Sequence, residues 1–153
     1  MSQLDQAAAR PLTIDTDEEA LFRETVRQFA QREVAPHVRE MDRAQHMDPA
    51  VLRGAFELGL MGIGIPTSFG GAGSTFTNAI IAIEELAVVD PSISVCVDVQ
   101  NTLVNKALFS WGTDAQRHRY GPRLARDLLG SYCLSEPSSG SDAFALKLSL
   151  IHI

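Results

Sequence analysis

Near the C-terminal end of the 153-residue chain, Tyr132-Cys133-Leu134-Ser135-Glu136-Pro137-Ser138-Ser139-Gly140-Ser141-Asp142 gathers residue types that can do chemistry. A short alternating run, Ser131 to Ser135, breaks at Glu136-Pro137 and opens into a loop of small hydroxylated residues holding one glycine. Such a loop can turn several backbone N–H groups and hydroxyls toward one point, which suits an anion. Composition alone fits a Ser-rich flexible connector equally well. Candidates elsewhere are few. Glu84 and Glu85 are adjacent, so on a helix they point about 100° apart and do not face each other as an acid/base pair. An edge charge or a packed ion pair is the reading for both. His37, His46, His118 and His152 have no ligand-like spacing, so no zinc site is expected. Cys96 and Cys133 form no C-x-x-C pair and read as free thiols of a reducing compartment.

The elements that must position this stretch are helical. Residues 1–15 read as a flexible arm. Thr16-Asp17-Glu18-Glu19 has the order of a capping box. Behind it Phe22, Val26, Phe29, Ala30, Val34, Val38 and Met41 recur at spacings of three and four, the stripe of an amphipathic helix. Arg23, Arg27, Gln31 and Glu24 fall on the other side. Pro36 lacks an N–H and should kink or interrupt that helix. Asp48-Pro49 starts another helix, with Gly59 as its left-handed stop. A glycine-rich connector, LMGIGIPTSFGGAGSTF, follows. It contains neither a G-x-G-x-x-G after a strand nor a Walker pattern. The run from Thr77 to Val89 is apolar nearly all round and should be buried on several sides.

Asp90-Pro91 restarts a helix that should end at Gly112. On it Ser94, Asp98, Asn101 and Asn105 make a polar stripe. That stripe is either a solvated or hydrogen-bonded seam between helices, or the wall of a ligand pocket. Thr113 to Gln116 is a second capping box. Gly121-Pro122 should break the short helix after it, and a last helical turn or two should close at Gly130. From Ser131 the apolar period changes to two, a strand signal. The fold class expected is therefore mainly α. A helical-bundle domain over 16–130 leads into the first strand or strands of a β-barrel domain over 131–153.

The totals narrow the function classes. Hydrophobic residues make up 45% and charged residues 21%, ordinary for a globular domain. The net charge of -6 argues against non-specific nucleic-acid binding, which needs a basic surface. No apolar run approaches the length of a membrane span. The N-terminal segment has neither the apolar core of a signal peptide nor a transit-peptide composition. A bacterial-type cytoplasmic protein is expected, with the mitochondrial matrix as the alternative.

The order of residues decides what composition leaves open. YCLSEPSSGSD resembles the flavin-binding signature of the acyl-CoA dehydrogenase family, close to Y-C-[VL]-[ST]-E-P-x-x-G-S-D. Other pieces agree in order: an opening helix with A-P near its end, the IPTSFGGAG loop, the GTDAQRHRYGPRL pattern, and VCVDVQNTL, which looks like short/branched-chain members. The resemblance runs from about Thr16 to Lys147. Ser138-Ser139 departs from it, where the family more often has Gly-Ala or Gly-Asn. After Lys147 the chain reads LSLIHI, unlike the family, so a fragment whose last residues are not native to the family is expected.

The resemblance implies FAD as cofactor and Tyr132, Cys133, Leu134, Ser135, Glu136, Pro137, Ser138, Ser139, Gly140 and Ser141 as its binding segment. Tyr132 to Ser135 would run beside the flavin ring, with the Ser135 hydroxyl bonded to it. Ser141 would reach both the pyrophosphate and the acyl-CoA, and Gly140 would permit close backbone approach. The helix from Asp90 would help to line the acyl pocket. The implied reaction is α,β-dehydrogenation of a short or branched-chain acyl-CoA to a trans-2-enoyl-CoA. Electrons would pass to an electron-transfer flavoprotein, and the full-length protein would be a homotetramer. The catalytic glutamate of the family lies in its C-terminal domain, so no catalytic residue is assigned here and this chain alone should be inactive. Competing readings are an acyl-CoA oxidase or flavin monooxygenase of the same fold, and a non-enzymatic helical acyl-binding or interaction module.

Overall fold

The computed structural model describes residues 15–148. Helix α1 (Asp17–Phe29) opens on the expected box: Thr16 Oγ1 accepts the Glu19 N–H at 3.2 Å, and Glu19 Oε2 accepts the Thr16 N–H at 2.8 Å. Asp15, at the end of the expected arm, is bonded to Arg23. Helix α1 then widens into a π-helical turn, Ala30–Val34, with the Ala35 N–H donating to Ala30 O at 2.9 Å. Pro36 has no N–H to extend the ladder, so the chain turns and restarts as α2 (Val38–Ala44). Asp48 Oδ1 accepts the Ala50 N–H at 2.8 Å and Pro49 takes the first position of α3 (Pro49–Glu57). Gly59, at φ 78°, supplies the left-handed stop that a Cβ would penalise.

The glycine-rich connector holds two 3₁₀ turns, Leu60–Gly62 and Thr67–Phe69. Helices α4 (Phe76–Ala87) and α5 (Pro91–Asp98) follow. A second π-helical stretch, Val99–Asn105, joins α5 to α6 (Lys106–Trp111), so the expected helix to Gly112 forms with a widened middle. Neither π stretch has a signature in the apolar pattern.

The main core lies where α1, α4 and α5 meet the first 3₁₀ turn: Val26, Ala30, Val34, Leu60, Met61, Leu86, Ile93 and Val97 are all buried. A smaller cluster of Ile65, Leu124 and Ala125, with Phe69 and Phe109, sits under the last helix. Phe69 meets Phe109 edge-on at 5.2 Å between ring centroids.

Three expectations need correction. Gly121-Pro122 does not break the chain: α7 (Asp114–Arg126) runs through both residues after the Thr113/Gln116 box and ends at Asp127, not at Gly130. Proline removes one donor from a helix otherwise held against the core, and Gly121 fits where a Cβ would come within 3.0 Å of the Phe109 ring. Helix α4, expected to be buried on several sides, is buried where it meets α1 and α5 and open elsewhere. Ala79, Ile81, Ala82, Glu85 and Leu86 face inward, while Phe76 and Ile80 are exposed. Finally, no strand forms among the described residues. Residues 131–135 are irregular, and an isolated bridge, Glu136 with Ser139, is the nearest thing to a ladder. A strand is stable by pairing, and an alternating pattern without a partner has nothing to pair with. The alternating tail after Leu148 lies outside the described residues.

Candidate functional site

The long helical run from Pro91 to Trp111 is the backbone of the site region, and its polar stripe has a definite use. Ser94 Oγ donates to Ile83 O at 2.8 Å. Asn101 Nδ2 donates to Leu60 O at 2.7 Å and to Val97 O at 2.9 Å, while its Oδ1 accepts the Ile63 N–H at 3.0 Å. Asn105 Nδ2 donates to Met61 O at 2.9 Å. These amides satisfy backbone groups of the 3₁₀ turn that glycines leave without a regular ladder. The stripe is thus a hydrogen-bonded seam. It borders a cavity as well: Asn101, Thr102 and Asn105 line a space of about 300 Å³ with Gly64, Phe76 and Phe109. Asn105 Oδ1 is buried without a partner among the described residues. Another face of the same run exposes Val95 and Leu103.

One polar residue in this run had no assigned role at the level of sequence. Gln100 is fully buried. Its Nε2 donates to Leu124 O at 3.0 Å and Leu128 O at 2.9 Å, and its Oε1 accepts the Gly130 N–H at 2.8 Å. Gln100 falls outside the 94/98/101/105 stripe. The available signal was a long amide inside the apolar run VCVDVQNTLV, which demands buried partners.

The stretch Tyr132 to Asp142 begins where that amide lets go. Tyr132, Cys133, Leu134 and Ser135 are all exposed, and among the described residues they make no hydrogen bonds. Pro137 and Ser138 form the tip of a tight turn in which the Glu136 N–H donates to Ser139 O at 2.9 Å and the Ser139 N–H to Glu136 O at 3.0 Å. Ser139 is 2% exposed and its Oγ donates to Asp142 O at 2.7 Å, so its hydroxyl is spent inside the loop. The Glu136 carboxylate accepts the Lys147 N–H at 2.8 Å and staples the loop to the segment beyond it. Gly140 and Ser141 are exposed, and a Cβ built on Gly140 would meet nothing within 4 Å. The structure therefore presents Tyr132 to Ser135, Gly140 and Ser141 outward, and turns Glu136 and Ser139 to holding the loop itself.

Of the two readings for Glu84 and Glu85, edge charge or ion pair, the ion pair forms, and it is larger than a pair. Arg27 reaches Glu85 through two nitrogens at 2.9 and 3.0 Å, and Arg23 bridges Glu85, Glu84 and Asp15. Arg23 and Arg27 thus cross to α4, where the helical wheel set them on the face opposite the core. The arginines hold the Glu85 carboxyl below the usual glutamate range, Arg27 foremost, against the opposing effect of burial. Burial pushes the Cys96 thiol up. No cluster of three or more metal-ligating side chains is present among the described residues. No helix among them is long and apolar enough to cross a membrane.

Residues 16–127 match the acyl-CoA dehydrogenase N-terminal domain. The chain is 51% identical over 137 residues to a probable short/branched chain specific acyl-CoA dehydrogenase of Dictyostelium discoideum, covering 90% of this chain and 33% of that one. It is 45% identical to the mitochondrial short/branched chain specific acyl-CoA dehydrogenase of Bos taurus, with 90% and 32% covered. Among solved structures, butyryl-CoA dehydrogenase from Megasphaera elsdenii superposes with a TM-score of 0.80 at 27% identity, over 88% of this chain and 36% of that one. The chain spans about a third of the length of the curated relatives it matches.

Proposed function

The chain belongs to the acyl-CoA dehydrogenase family, and from that premise we propose that it forms the N-terminal part of an FAD-dependent dehydrogenase of a short or branched-chain acyl-CoA. In this reading residues 16–130 are the helical domain and residues 131–153 open the middle β domain. The whole protein removes the α-proton and the β-hydride of the acyl group, leaving the Cα–Cβ double bond of a trans-2-enoyl-CoA. FAD, when bound, supplies the hydride acceptor, and an electron-transfer flavoprotein takes the electrons onward. A homotetramer is the expected working form, in a bacterial cytoplasm or a mitochondrial matrix.

The observation that carries this reading is the state of Tyr132 to Ser135. These residues are exposed, with backbone donors and acceptors unspent among the described residues, directly after a helical domain of the matching family. Unpaired backbone groups and the Ser135 hydroxyl suit the hydrogen-bonding edge of a flavin ring. Open space over Gly140 leaves room for the backbone approach expected beside the pyrophosphate, with the Ser141 hydroxyl next to it. The exposed Val95 and Leu103 side chains offer an apolar wall to an acyl chain.

Proton abstraction is not assigned to any residue of this chain. Glu84 and Glu85 are engaged by Arg23 and Arg27, and Glu136 holds the Lys147 N–H. A carboxylate held ionised by two arginines is a poor base, because its proton affinity has been lowered.

The test uses the full-length gene product. It should purify yellow and lose its flavin colour on anaerobic addition of butyryl-, isobutyryl- or 2-methylbutyryl-CoA, with dye reduction following. Peroxide formed in air at the rate of turnover would indicate the oxidase instead. A colourless folded protein that binds acyl-CoA without turnover would indicate the helical binding module.

A further inference from the structure

We infer that Gln100 is a positioning residue for the flavin-binding segment: its buried amide fixes where Tyr132 to Ser135 leaves the helical domain. This rests on the functional reading above.

The argument starts at the end of α7. The Asp127 and Leu128 N–H groups both turn to Arg123 O, at 2.8 Å each, so Leu124 O loses the helical partner it would otherwise have. Gln100 supplies the missing donor from another helix, and its second N–H takes Leu128 O. One side chain thus closes the C-terminal end of α7, a task normally done by local capping. Its remaining polar atom, Oε1, holds the Gly130 N–H at 2.8 Å. Among the described residues that is the last backbone donor held before Glu136.

Gly130 also packs directly on the same helical run. A Cβ on it would collide with the Val104 methyls. The chain is therefore pinned at Gly130 by Gln100 from one side and Val104 from another, and is then released into an exposed stretch with no hydrogen bonds among the described residues. Both pins stand in the π-helical segment Val99–Asn105, the run that also exposes Leu103 and borders the cavity. The wall offered to the acyl chain and the start of the flavin segment are consequently referenced to one rigid element. Reacting groups need to be placed to within a fraction of an ångström, so a hinge held in this way acts on rate even though it touches neither ligand.

The test compares full-length wild type with Gln100→Met, which keeps the side-chain length and removes all three hydrogen bonds, and with Gln100→Ala. Hydrogen exchange at the Gly130 amide should accelerate in both variants while protection in α1 and α4 is retained. FAD should dissociate more readily, the flavin absorption should shift, and kcat should fall about tenfold with KM less affected. A merely structural role would lower the melting temperature of Gln100→Met while leaving the flavin spectrum and FAD affinity of the folded fraction unchanged. That result, or unchanged exchange at Gly130, overturns the inference alone. A wild-type protein that binds no flavin overturns the functional reading and this inference with it.

Discussion

The α1–α4–α5 core and the 131–148 segment meet the same requirement in opposite ways. In the core, helices satisfy their own backbone, apolar stripes close on one another, and even the charged groups at the edge are paired: Glu85 is held by Arg23 and Arg27. Beyond Gly130 the polar groups of the chain mostly face outward, and order is local. Among the described residues it consists of the turn at Glu136–Ser139, the Ser139 hydroxyl bond to Asp142 O, a 3₁₀ turn over Ala143–Ala145 capped by Asp142, and the staple from Glu136 to the Lys147 N–H. A region that uses up its hydrogen-bonding capacity specifies a fold, while one that leaves it unspent is available to something else. Gln100 sits at the junction, with its amide spent on holding the second region to the first.

Substitutions can break or sharpen this contrast. The largest effect should come from Leu86→Ala, which empties a fully buried position. A loss of about 2–5 kcal/mol in urea unfolding is expected, and a smaller loss would mean that the core collapses around the gap. Gln100→Met should follow at about 2 kcal/mol, since two carbonyls and one N–H lose their partners; thermal melts of the variant read it directly.

Glu85→Ala should cost about 1–2 kcal/mol, tempered because Arg27 stays partly in solvent. This effect has a pH signature. The Glu85 carboxyl titrates lower folded than unfolded, so the folded state binds fewer protons through that range. Its contribution is fully present above the ordinary glutamate pKa and fades as pH falls through the depressed value. The gap between wild type and variant should therefore narrow on acidification. A gap that widens would contradict the pairing.

Ser139→Ala should cost about 1 kcal/mol at most, because it removes one bond inside a small loop, and should show as faster exchange at Ser139 with little change in global stability. Phe144→Ala should be smallest, within about 0.5 kcal/mol, since that ring is fully exposed. A larger loss would show that the tail packs on the core after all.

Much of the first region was legible in the chain because its signals are local. The Thr16/Glu19 and Thr113/Gln116 boxes, the Asp-Pro starts at residues 48 and 90, and the Gly59 stop all involve groups within a turn of each other. The apolar stripe of α1 was legible for a related reason, since helical spacing sets which residues share a face. The misjudged features depend on partners far away in sequence. Pro122 stays helical because α7 packs on the rest of the core, and the flank of α4 with Phe76 and Ile80 is exposed because no described element covers it. The alternation from Ser131 predicts a strand, yet a strand needs a neighbour and the described residues provide none. The signature residues could be named from their order, but not which of them face outward.

The sequence by itself determined the family, the helical class and where most helices begin and end, because capping, helical periodicity and an ordered motif are written in neighbouring residues. Tertiary structure alone decided that Asn101 and Asn105 of the polar stripe bond the 3₁₀ turn, that Arg23 and Arg27 cross to Glu85, and that Gln100 closes α7 and holds Gly130. A buried amide or charge must find its partner in space, and partners 24 to 62 residues away along the chain leave no mark on local pattern.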